Sequence, residues 1–146
     1  MALTIRPLTQ FDTSDWRRLW TAYLEFYETS VPKNVYTTTL ARLLDAACPS
    51  QNALVAELDG ALVGLVHYIY HPHNWRLEDV CYLQDLYADP SLRGQGVGRA
   101  LIEGVYAAAD ANGTPSVYWM TQENNATARQ LYDRIAHLTP FLKYQR

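Results

Sequence analysis

Cysteine is scarce in this sequence: Cys48 and Cys81 are the only two among 146 residues. That excludes a disulfide framework, and since both sit in apolar contexts they are expected as buried thiols in a reducing cytoplasm. No sign of charge predominates. Twelve Lys and Arg stand against fifteen Asp and Glu, a formal net charge of -3, and the lack of a basic stripe argues against a nucleic-acid partner. Long apolar runs are missing too. The longest, Ala61 to Tyr70, is about half a membrane span and contains His67, so no membrane association is expected. The opening Met1-Ala2-Leu3-Thr4-Ile5-Arg6-Pro7 has no basic stretch followed by an apolar block, so no secretory leader is expected. Without repeats, low-complexity tracts or charge blocks, residues 1–146 read as one domain. What is present is a composition of 49% apolar and 18% charged residues, that of a packed globule rather than a disordered chain, with eleven tyrosines and four tryptophans.

Leu3 to Leu8 reads as a first strand, with Pro7 suited to a sheet edge. Asp12 or Ser14 can cap a helix whose apolar positions (Trp16, Leu19, Trp20, Tyr23, Leu24, Tyr27) recur every three or four residues along one face. A shorter helix is expected from about Thr37 to Ala47, before Pro49. Ala53–Leu58 and Ala61–Tyr70 flank Asp59-Gly60, a strong hairpin signal. The polar segment His71–Arg76 leads to a strand from about Glu78 to Ala88. A helix then starts at Val97, with Leu101, Val105, Ala108 and Ala109 inward, and stops at Asn112-Gly113. Ser116–Thr121 is a short strand, Asn125 can cap a helix with Ala128, Leu131, Tyr132, Ile135 and Ala136 inward, and Phe141–Tyr144 closes the chain as a last strand. The order β-α-α-β-β-β-α-β-α-β describes an α+β fold, a mixed sheet with helices on both faces.

The chemistry concentrates in Arg93-Gly94-Gln95-Gly96-Val97-Gly98-Arg99, between a strand and a helix. Glycine lets backbone approach a ligand closely, and a helix start aims unpaired N–H groups at one spot. The result is an anion cradle suited to a pyrophosphate, with arginines at its rim. A P-loop needs Lys followed by Ser or Thr where Arg99-Ala100 stand. A dinucleotide fold needs glycine at position 99 and an acid at the end of the next strand, where this chain has Trp119-Met120-Thr121.

The segment resembles the acetyl-CoA pyrophosphate loop of the GNAT superfamily of N-acetyltransferases, whose pattern (Gln or Arg, two residues, Gly, one residue, Gly or Ala) is met by Arg93, Gly96 and Gly98. Tyr82-Leu83-Gln84-Asp85-Leu86-Tyr87-Ala88-Asp89-Pro90 looks like the family's pantetheine-binding strand, and Trp119 to Tyr132 like its second cofactor motif. Thr4-Ile5-Arg6-Pro7-Leu8 is typical of its first strand. The resemblance covers nearly the whole chain and implies a GNAT-like, mostly antiparallel sheet in a single domain, residues 1–146.

It further implies that acetyl-CoA is the cosubstrate. Leu86, Tyr87 and Ala88 would pair with the pantetheine amides on a bulged strand, and Arg93, Gly94, Gln95, Gly96, Val97, Gly98 and Arg99 would take the pyrophosphate. Asn125 would contact the cosubstrate, and Tyr132 would lie near its sulfur as proton donor. Acetyl transfer also needs an amine freed of its proton, and a carboxylate can take it. Asp85 lies where spermidine/spermine N-acetyltransferases carry a Glu-Asp pair, with Gln84 in place of the first acid; Glu78 and Asp79 are the other choices. By strand parity Asp79 and Asp85 share one face, Glu78 and Gln84 the other. Tyr23, Glu25, Tyr27, Glu28 and Tyr36 are candidate acceptor-wall residues by the resemblance, and His67 or His71 could line the pocket, although a packed role suits either histidine better. His71-Pro72-His73 lacks a third ligand at convincing spacing, so no metal is expected, and Cys81 reads as structural.

The implied function is transfer of the acetyl group of acetyl-CoA to a primary amine (small amine, polyamine, amino acid or protein lysine) by direct attack in a ternary complex. The alternative is a catalytically idle acetyl-CoA-binding module. The implied branch acetylates histone tails, polyamines or free amino acids, and its members often form homodimers.

Overall fold

A computed structural model describes residues 2–146. In chain order the elements are β1 (Leu3–Pro7), α1 (Thr13–Phe26), α2 (Lys33–Leu44), β2 (Gln51–Leu58), β3 (Ala61–His71), β4 (Val80–Ala88), α3 (Val97–Ala111), β5 (Val117–Tyr118) and α4 (Ala126–Ile135). The five strands form one sheet in the order β1-β2-β3-β4-β5. The first four pair antiparallel, and β5 joins β4 parallel, as a strand returning through a helical crossover must. Pro7 lies on the edge strand β1, where a missing N–H costs no ladder bond. Asp59 and Gly60, at φ 52° and 80°, form the hairpin turn between β2 and β3.

Side-chain alternation divides the sheet's apolar residues between two cores. On one face Val66, Cys81 and Leu83 pack with Val97, Leu101, Ile102, Val105 and Ala109 of α3, and α4 adds Leu131, Tyr132 and Ile135. On the other, Val55, Leu62 and Leu65 pack under Trp16, Leu19, Trp20 and Leu24 of α1 and Tyr36 of α2. Gly64 of β3 sets how closely the start of α3 can approach. A Cβ there would fall 2.9 Å from the Tyr87 carbonyl oxygen and 3.0 Å from Leu101 and Val97 side-chain carbons.

Four expectations need correction. No strand forms at Phe141–Tyr144. Residues 137–146 carry no regular structure, and Leu138, Phe141, Leu142 and Tyr144 are exposed. A strand needs a ladder partner, and β5 offers only two residues. Helix α2 runs earlier than Thr37–Ala47. Pro32 starts it, and the Asp45 carboxylate accepts from the Ala47 N–H at 2.9 Å, an Asx turn that competes with a further helical turn. Asp12 sits at the start of α1 without capping it, because its carboxylate is taken by Arg6 (2.8 and 2.9 Å) and the Thr9 N–H (2.8 Å). Asn125 stands at the start of α4, but its side chain donates to Thr121 Oγ1 at 3.3 Å instead of receiving a helix N–H.

Candidate active site

Strand β4 governs the site. Facing β3, His67 pairs with Asp85 but Tyr68 pairs with Leu83, so Gln84 is an extra residue, a β-bulge. The bulge reverses alternation within the strand. Leu83 packs on the α3 face, whereas Asp85 turns to the α1 face, where its Oδ2 lies 2.8 Å from His67 Nδ1. With unbroken alternation, Asp85 would follow Cys81 and Leu83 into the apolar core. Past the bulge β4 also has no strand on its outer side among the described residues. Strand β5 meets it only at Cys81↔Val117 and Tyr82↔Tyr118, leaving Leu83–Ala88 without a strand against that edge. Such an edge presents backbone N–H and C=O groups to whatever extended ligand lies along it.

Around Asp85 the tyrosine surplus finds a place. Asp85 is only 7% exposed. The Tyr23 hydroxyl lies beside its carboxylate, and burial together with that negative charge pushes the Tyr23 phenol far above its ordinary value. Tyr27 packs against Tyr23 in a tilted pair with ring centroids 5.1 Å apart, and its phenol is raised by burial, with Thr121 opposing the effect and Asp85 adding to it. Tyr132 follows. Burial, with Tyr27 nearby, pushes its phenol up to about 12, while its ring packs edge-on against Trp119 at 5.4 Å. Tyr82, raised by burial and then by Tyr118 and Asp85, stacks on Tyr118 at 4.9 Å. Asp85 thus lies beside Tyr23, Tyr23 packs on Tyr27, and Tyr27 is near enough to Tyr132 on α4 to help raise its phenol.

The glycine loop lies at the far end of the unpaired edge. Gly94 and Gly96 take φ of 80° and 77°, with nothing within 4 Å of an added Cβ, so backbone conformation rather than space selects glycine there. Gly96 caps the start of α3, where the Ala100 N–H donates to the Gly96 carbonyl at 2.9 Å; the N–H groups of Val97, Gly98 and Arg99 precede that bond. Gly98 needs no special conformation, and its added Cβ would make an ordinary 3.8 Å contact with Leu131. Arg93 is exposed. Arg99 instead pairs with Glu103 one turn on, Nε to Oε1 at 2.7 Å.

The structure therefore brings Asp85, Tyr27 and Tyr132 together at one end of an edge formed by Leu86, Tyr87 and Ala88, with Arg93–Arg99 at the other. It does not bring in the remaining residues. Glu78 precedes β4, exposed and 3.6 Å from Arg76, and Asp79 also lies outside the strand. Glu28 is exposed beyond the end of α1 at φ 55°. Tyr36 is core, its hydroxyl 2.7 Å from Thr21 Oγ1 and its ring edge-on to Trp16 and Trp20. His71 lies in a cleft of about 310 Å³ with His73, Arg76 and Tyr118, whose hydroxyl is 2.8 Å from its Nε2. Among the described residues no group of three or more His, Cys, Asp or Glu could hold a metal ion, and no helix is long and apolar enough to cross a membrane. Sequence reading missed the His67–Asp85 pair. The signal was a histidine inside the apolar run of β3, since a buried polar group requires a partner.

A sheet splayed at a bulged strand, with a glycine-rich helix start at the end of the opened edge, defines a CoA-type acyltransferase fold. Residues 16–137 match the model of the acetyltransferase (GNAT) family; the chain belongs to that family and is an acetyltransferase. It is 39% identical over 145 residues, 99% of this chain and 90% of the relative, to D-amino-acid N-acetyltransferase HPA3 of Saccharomyces cerevisiae. Among solved structures, the aminoglycoside N-acetyltransferase AAC(6')-Iy in complex with a CoA-linked bisubstrate analogue superposes with a TM-score of 0.87 at 18% identity, over 100% of this chain and 98% of that one. The ribosomal-protein-alanine N-acetyltransferase from Brucella melitensis does so with a TM-score of 0.83 at 23% identity, over 100% and 99%. At these identities the structural likeness bears on the fold.

Proposed function

We propose that the chain, acting as one domain over residues 1–146, transfers the acetyl group of acetyl-CoA directly to the amino group of a small amine, a D-amino acid being the acceptor class. The observation that carries this reading is the buried Asp85 carboxylate, turned by the β4 bulge toward Tyr23, Tyr27 and Tyr132 beside an unpaired strand edge. The D-amino-acid class rests on the yeast relative, which matches 99% of this chain at 39% identity.

Acetyl-CoA fits the residues present and supplies the thioester carbonyl that an amine attacks. Backbone groups of Leu86, Tyr87 and Ala88 on the open edge suit its pantetheine amides. The left-handed Gly94 and Gly96 and the free N–H groups at the start of α3 suit its pyrophosphate. Arg93 is the side-chain cation at that rim; Arg99, paired with Glu103, contributes through its backbone. Asn125 contacts the cosubstrate from the start of α4.

On the acceptor side, Asp85 holds the incoming ammonium and takes its proton, the role that a positioned carboxylate can fill, and the nitrogen lone pair so freed attacks the thioester carbonyl. Glu78 is less suited, being exposed and ion-paired outside the cluster. When the C–S bond breaks, the Tyr132 hydroxyl donates to the departing thiolate. Burial pushes the Cys81 thiol up to about 11, which supports direct attack over an acyl-cysteine intermediate, since the thiolate is the nucleophile. Free Cys48 and Cys81 support a reducing, cytoplasmic setting, and the exposed apolar side chains at 138–144 support a homodimer.

The test is a panel of D- and L-amino acids, polyamines, aminoglycosides and basic peptides incubated with acetyl-CoA, reading CoA thiol release and acetylated product together. Turnover of D-amino acids with one CoA released per N-acetyl group is expected. CoA release no faster than background hydrolysis with every acceptor would overturn the reading.

A further inference from the structure

Beneath α1 runs a buried chain of polar contacts that ends on Asp85 and whose other members, Trp16 and His67, the transfer steps above leave unused. Trp16 Nε1 lies 2.9 Å from His67 Nε2, and His67 Nδ1 lies 2.8 Å from Asp85 Oδ2. Trp16 is 0%, His67 5% and Asp85 7% exposed, so water does not compete for these bonds. An indole N–H can only donate. His67 Nε2 must therefore accept, which requires that nitrogen to be without a proton. The single proton of a neutral imidazole is then on Nδ1, and Asp85 accepts it as a hydrogen bond. A second proton, on Nε2, would set two N–H groups against each other where neither could turn to solvent. Donation runs one way, from Trp16 to His67 to Asp85.

In a Ser-His-Asp triad the carboxylate orients a histidine that works on the substrate; here the histidine is behind and the carboxylate in front. The backbone reinforces this order. His67 is the direct cross-strand partner of Asp85 at the bulge, and Trp16 is locked by stacking on Trp20 at 5.3 Å and by Tyr36 edge-on at 6.1 Å. Asp85 Oδ2 is thus held from a rigid helix face, although the bulge that carries it is an irregular piece of strand.

We propose that His67 and Trp16 are positioning residues for acetyl transfer, which hold Asp85 in one orientation at the bulge and close the inward route for its proton. Because Nδ1 already carries hydrogen, a proton taken up by Asp85 has no acceptor behind it and leaves outward, past Tyr23. This rests on the reading of Asp85 as the acceptor-side carboxylate.

The two ideas are separated by four proteins and one spectrum. His67→Leu removes the donor to Asp85, and turnover should fall at least about 10-fold with the KM for acetyl-CoA within about twofold. His67→Asn, whose side-chain N–H₂ takes the place of Nδ1, should recover most of the loss. Asp85→Asn should be at least as impaired, and His67→Leu combined with Asp85→Asn should be no worse than Asp85→Asn alone, as expected of residues acting through one group. In the unmutated protein, 15N NMR should find His67 with Nδ1 protonated and Nε2 bare. If Asp85→Asn turns over normally, the reading of Asp85 fails and takes this proposal with it. If Asp85→Asn is impaired but His67→Leu is not, or the two losses simply add, that reading stands and the positioning role is refuted. Should His67→Leu not fold, the spectrum decides: a proton on Nε2 overturns the proposal, and one on Nδ1 alone supports it.

Discussion

Replacing Tyr132 by Phe removes one hydroxyl and leaves the ring packed on Trp119. Burial, helped by Tyr27, holds that phenol at about 12, whereas an ordinary thiol titrates at about 8.5. Passing a proton completely from such a phenol to a thiolate is uphill by about 3.5 pKa units, or about 5 kcal/mol. In the proposed mechanism Tyr132 therefore serves the leaving group as a hydrogen-bond donor rather than as the source of its final proton. A hydrogen bond to a charged group contributes about 1.5–3 kcal/mol, so the rate of the chemical step should fall about 10- to 150-fold in Tyr132→Phe. Single-turnover CoA release measures that step free of product departure, and calorimetry should find the acetyl-CoA Kd within about twofold of the unmutated value. A phenol at about 12 stays protonated throughout the working range, so any alkaline limb of the rate profile below about pH 10 should persist in the variant. A loss beyond about 10³-fold would refute hydrogen-bond donation as the whole role. An unchanged rate would remove Tyr132 from the reaction.

Other consequences are structural. The Arg6 guanidinium beside Asp12 holds its carboxyl at about 2, below its ordinary 3.8. A lowered carboxyl stabilises the fold at pH above its unfolded value, and that stability is lost as pH falls through the folded value. Asp12→Asn should therefore cost about 2 kcal/mol in urea unfolding at pH 7, a deficit that shrinks below about pH 4 and vanishes near pH 2; a deficit independent of pH would contradict the assignment. Gly96→Ala, forced to φ 77°, should lose about 1–2 kcal/mol of stability and weaken acetyl-CoA binding by calorimetry, whereas Gly98→Ala should fold as well as the unmutated chain. A thiol reagent should titrate half-buried Cys48 in the native protein and reach fully buried Cys81 only on unfolding; rapid labelling of both would contradict the packing around β4.

Much of this architecture was legible because its signals are local. The three-and-four spacing of Trp16, Leu19, Trp20 and Leu24 marks α1, and the same residues line one core. Asp59-Gly60 marks the hairpin, and the glycines at 94 and 96 mark the positive-φ turn before α3. What stayed hidden depends on pairing across the fold. A bulge at Gln84 leaves no trace in alternation read along one strand, so Asp79 and Asp85 were expected on one face, although Asp79 lies outside β4. Tyr36 carries the same amphipathic signature whether it faces a pocket or packs against Trp16 and Trp20. Phe141–Tyr144 has strand-like residues but no partner strand among the described residues, and the Arg99 side chain, whose place in the glycine loop points to phosphate, has in Glu103, four residues on, a ready local partner. The joining of His67, in the middle of β3, to Asp85 emerges only from the β3–β4 register.

Which carboxylate serves the acceptor amine decides the mechanism. Steady-state N-acetylation of a D-amino acid by the unmutated protein, Asp85→Asn and Glu78→Gln measures this most directly. A fall in kcat/KM of about 10²-fold or more for Asp85→Asn, with Glu78→Gln unchanged, is the predicted result. Full activity in Asp85→Asn, with the loss in Glu78→Gln instead, would contradict it.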